Sequence, residues 1–201
     1  MNILPLSDDE KLILLRLARQ TIELAANGQS IPTCDLQAYT PTLREDGASF
    51  VTLTEFGNLR GCIGALEAYQ PLVQDVCEHA AAAALDDYRF PQVRPDEVRN
   101  LEIEISRLTA PKPLAYQDGA DLLEKLIPGK DGVILKDGIR RATFLPQVWE
   151  KIPSKESFLA QLCMKMGAPA DLWRRKHLDV LIYTVEEFSE AHSPANKKTG
   201  G

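Results

Sequence analysis

Leu59-Arg60-Gly61-Cys62-Ile63-Gly64 decides how this chain is read. Ahead of it, Ser49-Phe50-Val51-Thr52-Leu53-Thr54 is β-branched and aromatic, the composition of a strand. Phe56-Gly57-Asn58 supplies a turn, because Gly and Asn accept positive φ. The quoted residues are therefore predicted to be the return strand of a hairpin. A regular strand would place Leu59 and Ile63 on one face, Arg60 and Cys62 on the other. Gly61 and Gly64 bring no side chain to pack, and glycines inside strands mark a bulge or a close approach to the backbone. A thiol beside a guanidinium, flanked by bare backbone, reads as a site.

Outward from the hairpin, the chain alternates helices and strands. Ser7-Asp8-Asp9-Glu10 is a capping box, and the apolar residues after it predict a helix ending near Asn27, stopped by Gly28. Residues 29–47 hold Pro32, Pro41 and Gly47 and read as an irregular connection long enough to hide a short element. Pro71 opens a second helix running through Leu72 to Ala84, whose Ala80–Ala84 run gives a slim profile suited to lying close on a sheet. Leu101, Ile103 and Ile105 alternate with Glu102, Glu104 and Ser106 as a half-buried strand. Pro111 and Pro113 then break regular structure and make a subdomain linker. Beyond it a short helix over 121–127, a hairpin around Asp137-Gly138, a helical turn over 146–150, a Ser154-capped helix over 155–166 and a last strand over 179–185 are predicted. From about Ser193 the tail is small and polar and is expected to be disordered.

The chain has 201 residues, long for one compact domain and short for two. No apolar run approaches the roughly 20 residues of a membrane span. The first ten residues lack the basic-then-apolar layout of a secretory signal, so a cytoplasmic protein is expected. A net charge of −6 argues against a nucleic-acid footprint, which needs clustered Lys and Arg. Four cysteines (Cys34, Cys62, Cys77, Cys163) without a C-x-x-C pair make zinc an unfavoured reading, and no metal or cofactor is expected. In a reducing compartment disulfides are not expected, and Cys77 and Cys163 read as small buried apolar residues.

Leu-Arg-Gly-Cys-Ile-Gly resembles the signature of the AMMECR domain family, known in bacteria and archaea as AmmeMemoRadiSam system protein A. The likeness runs from about Ser7 to Phe188. It takes in Phe50-Val51-Thr52-Leu53, Arg89-Phe90-Pro91, Ile103-Glu104-Ile105-Ser106, Gly132-Val133-Ile134-Leu135 and the block from Arg141 to Trp149. Tyr88 stands where relatives are expected to carry Pro. The resemblance implies an α+β chain of two subdomains. The larger has an antiparallel sheet, flanking helices and both chain ends; the smaller is an inserted α/β subdomain across a cleft. With the linker above, this predicts 1–110 plus 179–190 as the larger part, holding the signature, 111–178 as the smaller, and 191–201 as tail. The family name also implies partners: a Memo-like protein and a radical SAM protein acting in a joint modification system. The substrate would be a protein or another large molecule bound in the cleft.

Two readings of the site stand. In one, Cys62 is a reactive or contacting thiol whose pKa Arg60 lowers, while Gly61 and Gly64 leave backbone N–H groups open to a substrate or an oxyanion. In the other, Cys62 is a filler in a tight sheet and Arg60 pairs with a carboxylate such as Glu102 or Glu104. His79 follows the hairpin on a helix and is the nearest candidate base; His177 and His192 read as surface histidines. Arg140 and Arg141 could meet an anionic group of a substrate. Arg89 could belong to a binding rim or anchor its loop. Pro128-Gly129-Lys130-Asp131-Gly132 lacks the phosphate-loop spacing and precedes a strand, so it is rejected as a nucleotide site. Trp149 and Trp173 read as packing.

Overall fold

Helix α1 (Asp8–Ala26) begins where its capping box does, Ser7 accepting from the Glu10 N–H and Glu10 reaching back to the Ser7 N–H at 2.8 Å. It ends in a Schellman pair, Gly28 N–H to Ala25 O and Gln29 N–H to Leu24 O, with Gly28 at φ 68°. These elements come from a computed structural model that describes residues 5–31 and 33–191; the expected tail and His192 lie outside them, save for residue 191. The connection after α1 does hide short pieces, a 3-10 turn over Leu36–Ala38 and helix α2 (Pro41–Arg44).

The chain is α+β and divides into two units, residues 1–108 with 186–201 and residues 109–185. In the first, β1 (Asp46–Glu55) pairs antiparallel with β2 (Asn58–Gly64), with the short β3 (Gln70–Pro71) and with β4 (Leu101–Leu108). The sheet order is β2-β1-β4-β9, with β9 at Val185–Ser189. Helix α3 (Leu72–Leu85) and α1 cover one face. Leu14, Ile22, Val76, Ala80, Leu53 and Ile103 belong to one core there, burial being what holds short-range elements together.

In the second unit the sheet order is β5-β8-β6-β7, from β5 (Lys112–Pro113), β6 (Gly132–Asp137), β7 (Arg140–Phe144) and β8 (Asp179–Tyr183). Helices α4 (Gly119–Lys125), α5 (Val148–Lys151), α6 (Lys155–Lys165) and α7 (Leu172–Arg175) complete it. Trp149 stacks on Phe158 with ring centres 3.6 Å apart, and Trp173 is buried in the same core. Pro113 does not break regular structure: it sits in an outer strand, where its missing N–H leaves no ladder bond unmade.

The run expected as one strand over 179–185 is two. Asp179–Tyr183 pairs with β6, Leu181 opposite Ile134, and Val185 begins β9 beside β4. The return to the first unit therefore comes at Glu186 rather than at residue 179. A nearly continuous apolar run such as Val180-Leu181-Ile182-Tyr183 carries no mark of which sheet each half joins.

Candidate functional site

The hairpin turn is Phe56-Gly57, both at positive φ (50° and 79°), the pattern of the I′ turn whose twist matches two antiparallel strands. Along β2 the register slips: Leu53 faces Gly61 while Thr54 faces Leu59, so Arg60 is the extra residue of a bulge. The strand is therefore not regular, and of the two outcomes that its glycines mark, a bulge lies next to Gly61. Past the bulge, Cys62 lies opposite Thr52, and Thr52 opposite Glu104, giving one cross-strand row. Val51, Leu53, Ile103 and Gly61 are buried on the other face, under the helices. Cys62 is half-buried, on the side the helices leave uncovered.

Gly61 is bare because α3 lies on it. A Cβ there would stand 2.1 Å from the Ala83 carbonyl oxygen. The alanine run and the glycine thus explain each other: both remove side chains where helix and strand backbones meet. At Gly64 a Cβ would meet the Phe50 ring and Ser49 O at 2.4 Å. Packing within the chain by itself requires both positions to lack a side chain.

Arg60 does not face the thiol. Its guanidinium donates to Pro91 O at 2.8 Å and Gln92 O at 3.3 Å and pairs with Glu97 at 3.0 Å, its side chain only 11% exposed. The carboxylate partner expected among Glu102 and Glu104 is therefore Glu97. The bulge sends Arg60 out of the Cys62 row to pin the loop after α3.

The cation beside Cys62 is Arg89. It donates to Cys62 O at 3.2 Å and forks onto Asp87, Nε to Oδ1 at 2.8 Å and Nη2 to Oδ2 at 2.6 Å. Asp87 in turn accepts the Cys62 N–H at 2.8 Å. Asp87 is almost fully buried, and the Arg89 guanidinium, helped by the Cys62 and Arg89 N–H groups, holds its carboxyl far below the usual carboxylate range. The same ion pair pushes Arg89 up, with the Cys62 sulfur contributing. Because the Cys62 N–H is taken, it is not an open oxyanion donor.

The thiol itself meets the Thr52 hydroxyl at 3.4 Å. His79 does not approach it. The imidazole Nδ1 lies 3.1 Å from Asp75, which also accepts from Ser49 Oγ at 2.6 Å, all three buried on the helix side of the sheet. The sheet stands between this imidazole and the sulfur, so His79 and Cys62 do not pair. His177 stacks on Tyr116. Arg140 and Arg141 are on β7 of the second unit, where Arg140 pairs with Asp137.

Asp87 is the site residue that sequence reading missed. Its only local sign is an Asp two residues before an Arg just past a helix end; nothing there tells that the pair reaches back 25 residues to Cys62.

The family model described as AMMECR1 matches residues 15–188. A protein of Methanothermobacter thermautotrophicus is 37% identical over 196 residues, covering 94% of this chain and 99% of its own length. One from Thermococcus gammatolerans is 38% identical over 199 residues, covering 92% and 93%. The crystal structure of the uncharacterized protein PH0010 from Pyrococcus horikoshii is similar at a TM-score of 0.78 and 36% identity, over 90% of this chain and 91% of that one. No helix among the described residues is long and apolar enough to cross a membrane.

Proposed function

The chain belongs to the AMMECR1 family, and from that premise we propose that it serves a modification system shared with a Memo-like protein and a radical SAM protein. Its part is to hold a sizeable substrate, a protein or another large molecule, against the sheet face that carries Cys62. One observation carries the reading: the Cys62 backbone is clamped on both sides, N–H by Asp87 and C=O by Arg89, on a half-buried outer strand. Clamping both groups sets the direction of the sulfur before anything binds, and preorganisation of that kind is what a contacting or reacting group requires. The Arg89 guanidinium that holds the carbonyl is itself fixed by its pair with Asp87.

A second reading, a non-catalytic adaptor that presents substrate to its partners, is favoured by the thiol's surroundings. Its hydrogen-bond partner is a hydroxyl, and the nearest buried imidazole is across the sheet. A thiol nucleophile is ordinarily served by a base.

Reconstitution with both partner proteins separates the two. Cys62→Ser removes turnover and keeps complex formation if the sulfur reacts; it spares both if Cys62 only contacts or packs. Iodoacetamide labelling of the native chain supplies the independent measure. Cys62 should label well ahead of Cys163, which is fully buried in the second unit; equal rates would remove Cys62 from the site.

A further inference from the structure

We propose that Cys34 and Cys77 form a redox-responsive dithiol site, closing to an intramolecular disulfide by exchange with a low-molecular-weight disulfide such as oxidised glutathione. The two sulfurs lie 3.7 Å apart although the residues are 43 apart in sequence. Both are free thiols. Cys77 is held rigidly in α3, buried to 3% exposure. Cys34 is half-buried on the irregular connection between α1 and the Leu36–Ala38 turn. A disulfide needs about 2 Å between sulfurs, so closure asks for a modest side-chain rotation at Cys34, where no regular backbone resists it.

The asymmetry of the pair sets the order of events. Burial pushes the Cys77 thiol up to about 12, which disfavours it as the entry nucleophile. Cys34, half-exposed, attacks the small disulfide first; its S–H proton leaves to solvent, one glutathione departs as thiolate and takes up a proton. Cys77 then attacks the Cys34 sulfur, displacing the second glutathione, which receives the Cys77 proton. The sum is two protein thiols and one small disulfide giving one protein disulfide and two small thiols. Reduction by excess small thiol reverses it. The bond would fasten the connection after α1 to the helix whose end leads into Asp87 and Arg89.

The test uses the full chain carrying Cys62→Ser, because no Lys or Arg lies between Arg60 and Arg89 and trypsin would otherwise leave Cys62 and Cys77 on one peptide. After incubation with oxidised glutathione and alkylation of remaining thiols, non-reducing peptide mapping should show the 20–44 and 61–89 peptides linked in most of the chains. Cys77→Ala should instead trap glutathione on Cys34, and Cys34→Ser should abolish the link and leave Cys77 unmodified. Oxidised protein should melt higher than reduced protein, a difference erased by Cys34→Ser. Glutathione that stays on Cys34 while Cys77 is present, or a link that forms only in denaturant, would overturn the proposal.

Discussion

The carboxylate of Asp87 accepts the backbone N–H of Cys62 at 2.8 Å. Cys62 lies on β2, at one end of the order β2-β1-β4-β9, so that N–H points where no strand follows. Asp87 as acceptor and Arg89 as donor to Cys62 O fill the places of a neighbouring strand with two side chains. An outer strand left bare invites unwanted pairing. Here it is closed at the residue whose sulfur lies on the face opposite α1 and α3.

Asp87→Asn keeps the size of that bridge, removes its charge and turns one of its two accepting oxygens into a donor facing N–H groups. Hydrogen bonds to charged groups contribute about 1.5–3 kcal/mol, so the variant should be about 2 kcal/mol less stable at pH 7. The folded-state pKa of Asp87 is depressed. Its contribution is therefore fully present above the unfolded value, near 3.9, and is lost as pH falls from there toward the folded value. Urea unfolding of both proteins at pH 7 and at about pH 3 should show the gap shrinking in acid. A gap independent of pH would mean that the charge is not what stabilises the bridge.

Gly61→Ala places a methyl 2.1 Å from the Ala83 carbonyl oxygen, a contact that only a shift of α3 relieves. Overpacking of this kind destabilises by about 1–3 kcal/mol, and backbone against backbone lies at the upper end. Gly57→Ala meets nothing within 4 Å and suffers only the strain of φ 79°, about 1 kcal/mol. Thermal melts of the two variants should therefore rank Gly61→Ala well below Gly57→Ala. The reverse order would show that α3 adapts freely.

Much of this was legible in the sequence, for local reasons. The capping box at Ser7, the stop at Gly28 and the alanine run of α3 act within a few residues of themselves, and each is found where expected. The hairpin was legible too, because Phe56-Gly57-Asn58 is a turn on its own chemistry. The glycines marked a bulge or a close approach, but not that Arg60 would be its extra residue: that depends on which residues of β1 and β2 meet, and one slipped position redirected Arg60 from the sulfur to Glu97. Asp87, Cys34 and the Asp75–His79 pair with Ser49 were illegible for the same reason. The contacts that define them reach 25 or more residues, from Asp87 to Cys62, Cys34 to Cys77 and Asp75 to Ser49, while Asp87–Arg89 and Asp75–His79 are local pairs whose place in the fold is not.

Arg60→Ala tests that redirection. Freed of the guanidinium, the carbonyls of Pro91 and Gln92 and the Glu97 carboxylate lose their donor. Amide exchange across 91–97 should quicken, and stability should fall by about 1–2 kcal/mol. The alkylation rate of Cys62 should stay unchanged, whereas Arg89→Ala should alter it by releasing the Cys62 carbonyl. A slower Cys62 in Arg60→Ala with an unaltered loop would restore Arg60 as the sulfur's partner.

Phe56 holds a left-handed backbone, φ 50°, at the tip of the hairpin, where the residue is 81% exposed. A bulky residue there is strained by about 1 kcal/mol, and the exposed ring gains little packing in return. Asn-Gly is the pair that this turn prefers. Phe56→Asn should therefore raise stability by about 1 kcal/mol, read as a higher urea midpoint with an unchanged slope. Binding of the partner proteins, measured on the same variant, assigns the ring its role. Unchanged binding makes Phe56 a tolerated strain, and weakened binding beside a gain in stability makes it a docking contact maintained at the expense of the fold. A loss of stability would contradict the turn geometry itself.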